Sequence, residues 1–395
     1  MSRGTRLTAL TAAALLTLPM APAAADEPYE GFPQDATVTI EGDGSGHGRG
    51  LSQYGAYSAA RDGGCYREIV STYHPGTRWQ QRGGTIEVLV SDDDDRDLVV
   101  ADVRGLKVRA VGSGRTWRAA EARAKRWRIK PGAGSTNVVS YYAGRWRTWK
   151  KVRGDVEMAA GTRPLRLTTP GGKVSYRGAL RSSADDVGDR VTVNVLPLEQ
   201  YVRGVVPSEM QSGWPQQALR SQAVASRTYA AWRRDVRPLD VAYDLCDTAR
   251  CQVYGGASAE DSRTSTAVAR TAKQVLTYRG EAIFAEFSAA NGGWTVAGEN
   301  GEPYLPSRRD DFERTSPDYY GWTVTVPVAD MLEEYDYDEL ALIGIEERDG
   351  LGPRAGRVEQ VRVTAGSGFT DTVTGDDFRR DWGLPSTLFT ITSVD

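Results

Sequence analysis

A chain of 395 residues exceeds what one hydrophobic core usually organises, so two domains are expected. At 40% hydrophobic and 26% charged it is neither a disordered polymer nor a membrane-embedded chain, and its 43 glycines point to many turns. The formal charge is −3, or −5 once a leader carrying Arg3 and Arg6 is removed, which excludes gripping nucleic acid or an anionic wall by bulk charge.

The first 25 residues read as a Sec-type signal peptide. MSRGTRL is basic, Leu7 to Met20 is apolar, and Ala23 to Ala25 offer a small-residue cleavage site before Asp26. The expected location is secreted, extracellular or cell-wall associated, and no later stretch reaches the length of a membrane span. From Asp35 a short strand, TVTIEG, gives way to alternating glycines at 42, 44, 46, 48 and 50. No Lys-Ser/Thr follows, so this is not a phosphate loop, and the glycines suit close backbone passage against another surface. His47, Ser52 and Gln53 decorate the entrance of a helix running through Ala60. His47, one of two histidines, is either a substrate-cleft residue or a structural hydrogen bonder.

Residues 83–181 alternate in short runs (TIEVLV, DLVVADV, LKVRAV, LRLTTP) and predict an inserted β-rich domain. Asp92 to Asp95 lack the glycine and closing Glu of a calcium loop and read as a solvated hairpin tip. Trp117, Trp127, Trp146 and Trp149 are interleaved with Arg and Lys. Such a face either stacks sugars or bases and contacts phosphates, or is a strand pair whose Arg stems cover one side, the commoner arrangement.

The stretch from Leu196 to Arg234 is the most informative. Val191 to Val195 read as a strand ending near Leu196 and Pro197, followed by a turn carrying Glu209 and a Gly213-Trp214-Pro215 punctuation. Pro215 suits a first helical position, and Gln216 to Arg234 hold no Gly or Pro, which predicts a solid helix. Its many small residues permit close approach, and Gln222, Arg227 and Thr228 stand where a purely structural helix more often carries Leu or Ile. Further on, Glu281 to Phe287 read as a strand, followed by Ser288, Asn291, Gly292, Gly293 and Thr295, polar groups of the kind sugar hydroxyls require.

These residues carry a resemblance. Leu198, Tyr201, Gly204 to Val206, Glu209 and Met210 fit L-x-x-Y-x-x-G-V-V-x-x-E-M, and Ala218 to Tyr229 fit A-L-[KR]-x-Q-A-V-A-x-R-T-Y, segments typical of the SpoIID/LytB family of sporulation stage II protein D and the amidase enhancer. CDTARCQVYGG (Cys246 to Gly256), FAEFSAANGGWT (Phe284 to Thr295), PYL, SPDYYGW and the tail with GRV, FRRDWGLPST and FTI follow in family order. Gly46 to Trp79 is similar to the GHGxGxSQYGA element and YPGT trailer that relatives carry at the C-terminus, so the arrangement resembles a circular permutation. The resemblance implies an α+β fold with a central helix packed on short strands. The expected partition is 1–25 signal peptide, 26–82 glycine-rich segment packing on the core domain, 83–181 β-rich domain and 182–395 SpoIID/LytB-like domain.

In some relatives two histidines join the cysteine pair in binding zinc. No His lies near Cys246 and Cys251 here, so no metal or other cofactor is expected, and in an oxidising compartment a local disulfide is the better reading. Cys65 then reads as a buried thiol.

A glycosidic bond needs protonation of its leaving oxygen, and ordinary hydrolysis adds a second carboxylate. One acid, Glu209, lies in a motif. Glu199 reads as surface-exposed, and Asp244 and Glu286 are unranked alternatives. One acid suffices if the 6-hydroxyl of N-acetylmuramic acid closes on its own anomeric carbon, the lytic transglycosylase reaction that the SpoIID branch implies. Glu209 would be the acid and then the base, with Arg220, Gln222 and Arg227 orienting the glycan and His47, Gln53, Ser288 and Asn291 behind them. From spacing alone Glu209 is better read as a first-turn residue favourable to a helix dipole, with Ser208 as the cap. The partners expected are peptidoglycan strands and, if the chain is instead a non-catalytic glycan-binding enhancer or scaffold, a cell-wall amidase; nucleic acid is not expected.

Overall fold

The computed structural model describes Asp26, residues 28–185, 188–238, 241–313 and 319–395. The expected signal peptide lies outside the described residues. The described chain mixes helices and strands, an α+β protein, and forms two compact units, one from residues 43–322 and one from 28–42 with 323–395.

In the larger unit, glycine decides how the chain enters. Gly50 has φ of +66°, and a Cβ there would lie 2.0 Å from the Glu286 carbonyl oxygen. No other residue fits that approach. It lets Leu51 donate to the Glu286 carbonyl at 3.0 Å and lets Leu51–Ser52 pair in parallel with Phe287–Ser288. Helix α1 (Gln53–Arg61) begins there, its Ser52 hydroxyl accepting from the Gly55 amide, a serine N-cap. Helix α2 (Tyr66–Tyr73) follows with Ile69, Val70 and Tyr73 inward. Cys65 precedes that stripe at the N-cap and is exposed, not the buried thiol expected.

Helix α3 (Leu198–Glu209) replaces the turn expected around Glu209. Leu198, Tyr201, Val202, Val205 and Val206 recur at helical spacing and are all buried, which at about 1.5–3 kcal/mol per large apolar side chain outweighs the penalties of Gly204 and Pro207. Gly204 is required by packing, since a Cβ would meet the Tyr254 ring at 2.5 Å. Helix α4 (Gln216–Val236) has thirteen buried residues, Ala218 to Ala231 except Arg220, and packs against α1, α2, α3 and α5 (Ser262–Arg270).

Strands of the β-rich stretch do not stand apart from these helices. A seven-stranded sheet runs in the order Leu245–Cys246, Thr85–Leu89, Arg190–Pro197, Ala179–Ala184, Val156–Ala159, Lys107–Ala110, Thr116–Arg118. Arg190–Pro197 satisfies its main-chain groups on both sides with Thr85–Leu89 and with Ala179–Ala184, which crosses position 181, and one continuous core joins Trp127, Val139 and Leu165 to Tyr201 and Ala223. The expected boundaries at 82 and 181 therefore do not separate compact units. A six-stranded sheet completes this part, with Trp146–Arg153 at one edge beside Thr136–Tyr142 and then Arg126–Pro131.

Asp93 corrects the hairpin-tip reading. It is buried, accepts from the Thr192 hydroxyl at 2.5 Å, and its carboxyl is pushed up to about 7 by burial, with Asp95, Asp92 and Asp94 adding to the shift.

The smaller unit, which takes up the end of the expected 182–395 block, holds a four-stranded sheet in the order Tyr29–Glu30, Leu340–Arg348, Val358–Ala365, Thr370–Thr374. Phe378 and Phe389 stack at 5.5 Å in its core.

His74 ends α2 fully buried, and burial lowers its pKa to about 4, against a weaker opposing pull from the Tyr304 main chain. The unfolded chain takes up this proton near pH 6.5 and the folded chain resists it, so stability is lost as pH falls from about 6.5 through 4. The shift corresponds to about 3 kcal/mol. Urea midpoints measured between pH 8 and pH 4.5 are expected to fall further for the wild type than for His74→Gln, which cannot take the proton; parallel falls would contradict this.

Candidate functional site

Glu209 closes α3, whose start is anchored from below. Glu199, in the first turn, accepts from Arg227 at both oxygens (Nε to Oε1 2.7 Å, Nη2 to Oε2 3.0 Å) and from the Lys273 amide at 2.9 Å. The Arg227 guanidinium also donates to the Ala223, Gln274 and Val268 carbonyls at 3.2, 3.2 and 3.3 Å. Arg227 is fully buried, so it is a tie between helices and not the glycan-orienting residue expected, and Glu199 is its partner, not a free surface acid. The Lys-free, Ala-rich face of α4 gives the planar fork room to reach its five donors' partners.

A loop closed by the Cys246–Cys251 disulfide lies against the other end of α3. Tyr201 donates from its hydroxyl to Gln252 Oε1 at 3.1 Å, and Tyr254 donates to Asn194 Oδ1 at 2.8 Å. Between them the Val253 amide donates to Glu209 Oε1 at 2.6 Å. Among the described residues no hydrogen bond holds Oε2. Burial pushes the Glu209 carboxyl above its ordinary range, and the Val253 amide opposes this by favouring the charged form.

Glu209 lines a cleft of about 510 Å³, within the range of small-ligand sites. His47, Gln53 and Ser288 line it too, so four of the eight residues singled out in the sequence as catalytic or substrate-binding meet there. Arg49 N–H donates to His47 Nδ1 at 3.0 Å. Gln222 is buried behind the wall, accepting from Gln53 Nε2 at 3.4 Å and donating to Ser226 at 3.0 Å, so it reaches the cleft through Gln53. Arg220 and Asn291 are not among the lining residues. Asn291 is buried, donating to Asp310 Oδ2 at 2.7 Å and accepting from Gly293 at 2.8 Å. Its loop is pinned further by Glu313, which accepts from the Asn291 and Gly292 amides and the Ser52 hydroxyl. This buried carboxylate network holds the glycine pair and does not face the cleft wall.

The cleft also holds Glu286, an unranked alternative in the sequence, and Arg49, which the sequence reading passed over. Glu286 accepts from Arg49 Nε at both oxygens, 3.0 Å each, while Arg49 Nη1 reaches Glu299 at 3.0 Å. Burial raises the Glu286 pKa and Arg49 pulls it down. Tyr229, Phe284 and Phe287 supply the apolar wall, with the Tyr229 and Phe284 rings 5.5 Å apart. Arg49 stands inside the glycine run between His47 and Ser52, and that placement was the available signal. Among the described residues no group of three or more metal-ligating side chains converges, and no helix is long and apolar enough to cross a membrane.

Residues 187–278, which include α3, α4, the disulfide loop and α5, match the protein family described as Stage II sporulation protein, SpoIID. The chain is 31% identical over 217 residues to an uncharacterized protein of Brachyspira hyodysenteriae, covering 52% of this chain and 56% of that one. It is 38% identical over 129 residues to the "Amidase enhancer" of Bacillus subtilis, covering 32% and 17%. With "Stage II sporulation protein D" of Bacillus subtilis it shares 30% identity over 220 residues, covering 50% and 61%. The chain thus spans less than two thirds of the length of each of these relatives.

Two outcomes follow from the site's construction. Arg227→Ala removes a buried guanidinium and its bonds to the half-buried Glu199 and is expected to cost about 2–3 kcal/mol in urea unfolding; a loss below about 1 kcal/mol would return Arg227 to the ligand-binding candidates. Replacing Cys246 and Cys251 by Ser is expected to cost about 2 kcal/mol, the chain-entropy value for so short a loop. Amide exchange at Val253 should then quicken more than exchange in α4; unchanged exchange at Val253 would mean that the disulfide does not hold it.

Proposed function

Because the chain belongs to the SpoIID/LytB family, we propose that it is a secreted protein acting on peptidoglycan, and that Glu209 makes it a lytic transglycosylase of the glycan strands. The observation that carries this reading is a cleft-lining carboxyl with a raised pKa, oriented through one oxygen by the Val253 amide. A carboxyl whose pKa burial has raised can give its proton to the glycosidic oxygen as the bond to the muramic acid C1 breaks. The 6-hydroxyl of the same sugar then bonds to C1, and its proton passes to the Glu209 carboxylate. The products are a 1,6-anhydro end and a new 4-hydroxyl, with Glu209 protonated again and no water consumed.

Glu286 and Glu299 also line the cleft, both engaged by Arg49, and the hold of Arg49 Nε on both Glu286 oxygens argues for a fixed group that positions substrate and not for a base that activates water. His47, Gln53 and Ser288 supply hydrogen-bonding groups along the wall, and the Tyr229, Phe284 and Phe287 rings supply apolar surface of the kind sugar faces cover. The family's central helix would correspond to α4, with the β-rich strands as a module built onto it.

A second reading is favoured by the 38% identity to a protein named Amidase enhancer. In it the same cleft holds glycan without cutting it and presents the chain to a cell-wall amidase.

Incubation with intact and with peptide-stripped peptidoglycan, followed by mass spectrometry, separates the two. Anhydro-muramyl ends are expected, and Glu209→Gln is expected to lower their rate by about 10²–10⁴. The rate should fall on an alkaline limb displaced above the ordinary carboxylate range, because the acid must start protonated. No anhydro ends from either substrate would leave the enhancer reading, and ends formed equally by Glu209→Gln would remove Glu209 from the chemistry.

A further inference from the structure

We propose that the outer face of the six-stranded sheet is a second binding site, for a linear phosphodiester-linked polymer of the cell wall. The chain as a whole is acidic, yet residues 104–153 hold fifteen Arg and Lys and one acid, Glu121. Segregation of this kind creates a local positive field that the net charge hides.

The strand register places these charges on one side. In Arg126–Pro131, Trp127 and Ile129 point into the core, so Arg126, Arg128 and Lys130 share the opposite face. Opposite them across Thr136–Tyr142 lie Tyr142, Ser140 and Val138, and beyond these Trp146, Thr148 and Lys151 of Trp146–Arg153. Among the described residues the acid facing this ladder is Asp97, which pairs with Arg128 at 3.1 Å. Among the described residues Arg126, Lys130 and Lys151 have no ion pair. Glu121 is engaged elsewhere, accepting from Trp149 Nε1 at 2.9 Å.

Two of the cations are held in place by aromatic rings, and of these Arg126 carries no ion pair. The Arg128 guanidinium lies 4.3 Å from the Trp146 ring centroid, and that of Arg126 lies 4.6 Å from Tyr142 and 5.5 Å from Trp146. Stacking fixes the guanidinium plane and leaves the charge and edge N–H groups available for a phosphate. The ladder repeats about every 6.6–6.8 Å along a strand and about 4.8 Å between strands, a lattice that suits a chain with recurring anions better than a single small ion. The choice of a wall polymer over nucleic acid takes from the proposed function only that the protein works at the wall. The binding itself uses none of the Glu209 cleft.

The test measures retention of the full-length protein on purified Gram-positive-type walls carrying phosphodiester-linked polymer, and on the same walls after hydrofluoric acid has removed it. Retention is expected to fall by about tenfold or more on stripping, to weaken as salt rises, and to fall similarly for Arg126→Gln/Lys130→Gln/Lys151→Gln. Trp146→Leu keeps every charge but releases the stacked guanidinium groups, and is expected to weaken retention several-fold. The triple variant touches exposed or half-buried side chains outside ion pairs, so it carries the test should Trp146→Leu fail to fold. Retention unchanged by stripping or by the triple variant would overturn the proposal. So would equally tight, variant-sensitive binding to duplex DNA or to a polyuronate at matched charge. Anhydro-end release from phosphate-free glycan strands should be the same for wild type and triple variant; its absence in both would remove the transglycosylase reading while leaving the retention result to stand or fall alone.

Discussion

The pair formed by buried Arg227 and half-buried Glu199 is the interaction on which the site depends. One guanidinium at the centre of α4 bonds to the first turn of α3, to main-chain carbonyls of α4 and α5, and to the strand beginning at Gln274. A buried charge with an incomplete set of partners would be costly, so every element it touches is fixed relative to the others. The far end of α3 carries Glu209. The position of that acid is therefore set by a contact made at the opposite end of its own helix, together with the Val253 amide that meets it.

The cleft is assembled from segments distant in the chain. The glycine run brings His47 and Arg49 against the strand that carries Glu286 and Ser288, and only a residue without a side chain at position 50 permits it. The disulfide loop adds the opposing wall. Its five-residue span is short enough to hold Val253 where one amide can orient a carboxyl without fully charging it, because burial works against the hydrogen bond. Burial outweighs the hydrogen bond and raises the carboxyl's pKa, the direction a proton donor requires.

Much of this was legible in the sequence, and the reasons for the misses are specific. Helix α4 announced itself through an uninterrupted run after Pro215. The apolar spacing of α3 was equally present at Leu198, Tyr201, Val202, Val205 and Val206, but Pro197 before it and Gly213-Trp214-Pro215 after it drew the reading toward a turn. Arg227 looked like a ligand group because its partner lies 28 residues earlier, and Glu199 looked exposed for the same reason. Arg49 and Glu286 are 237 residues apart, a pairing that no local pattern announces. Asp93 read as solvent-facing within its acidic run, although its neighbour Thr192 draws it inside. Asn291 was expected at substrate and instead binds Asp310, since a glycine pair in a close-packed loop needs its own internal partners.

The central claim is that burial raises the Glu209 carboxyl's pKa above that of a free glutamate. Carbon-13 NMR titration of the Glu209 side-chain carboxyl, assigned by difference from Glu209→Gln, measures this directly. The account requires a midpoint clearly above the ordinary glutamate value of about 4.3. A midpoint at or below that value would show that the Val253 hydrogen bond and solvent outweigh burial, and the acid would have no proton to give.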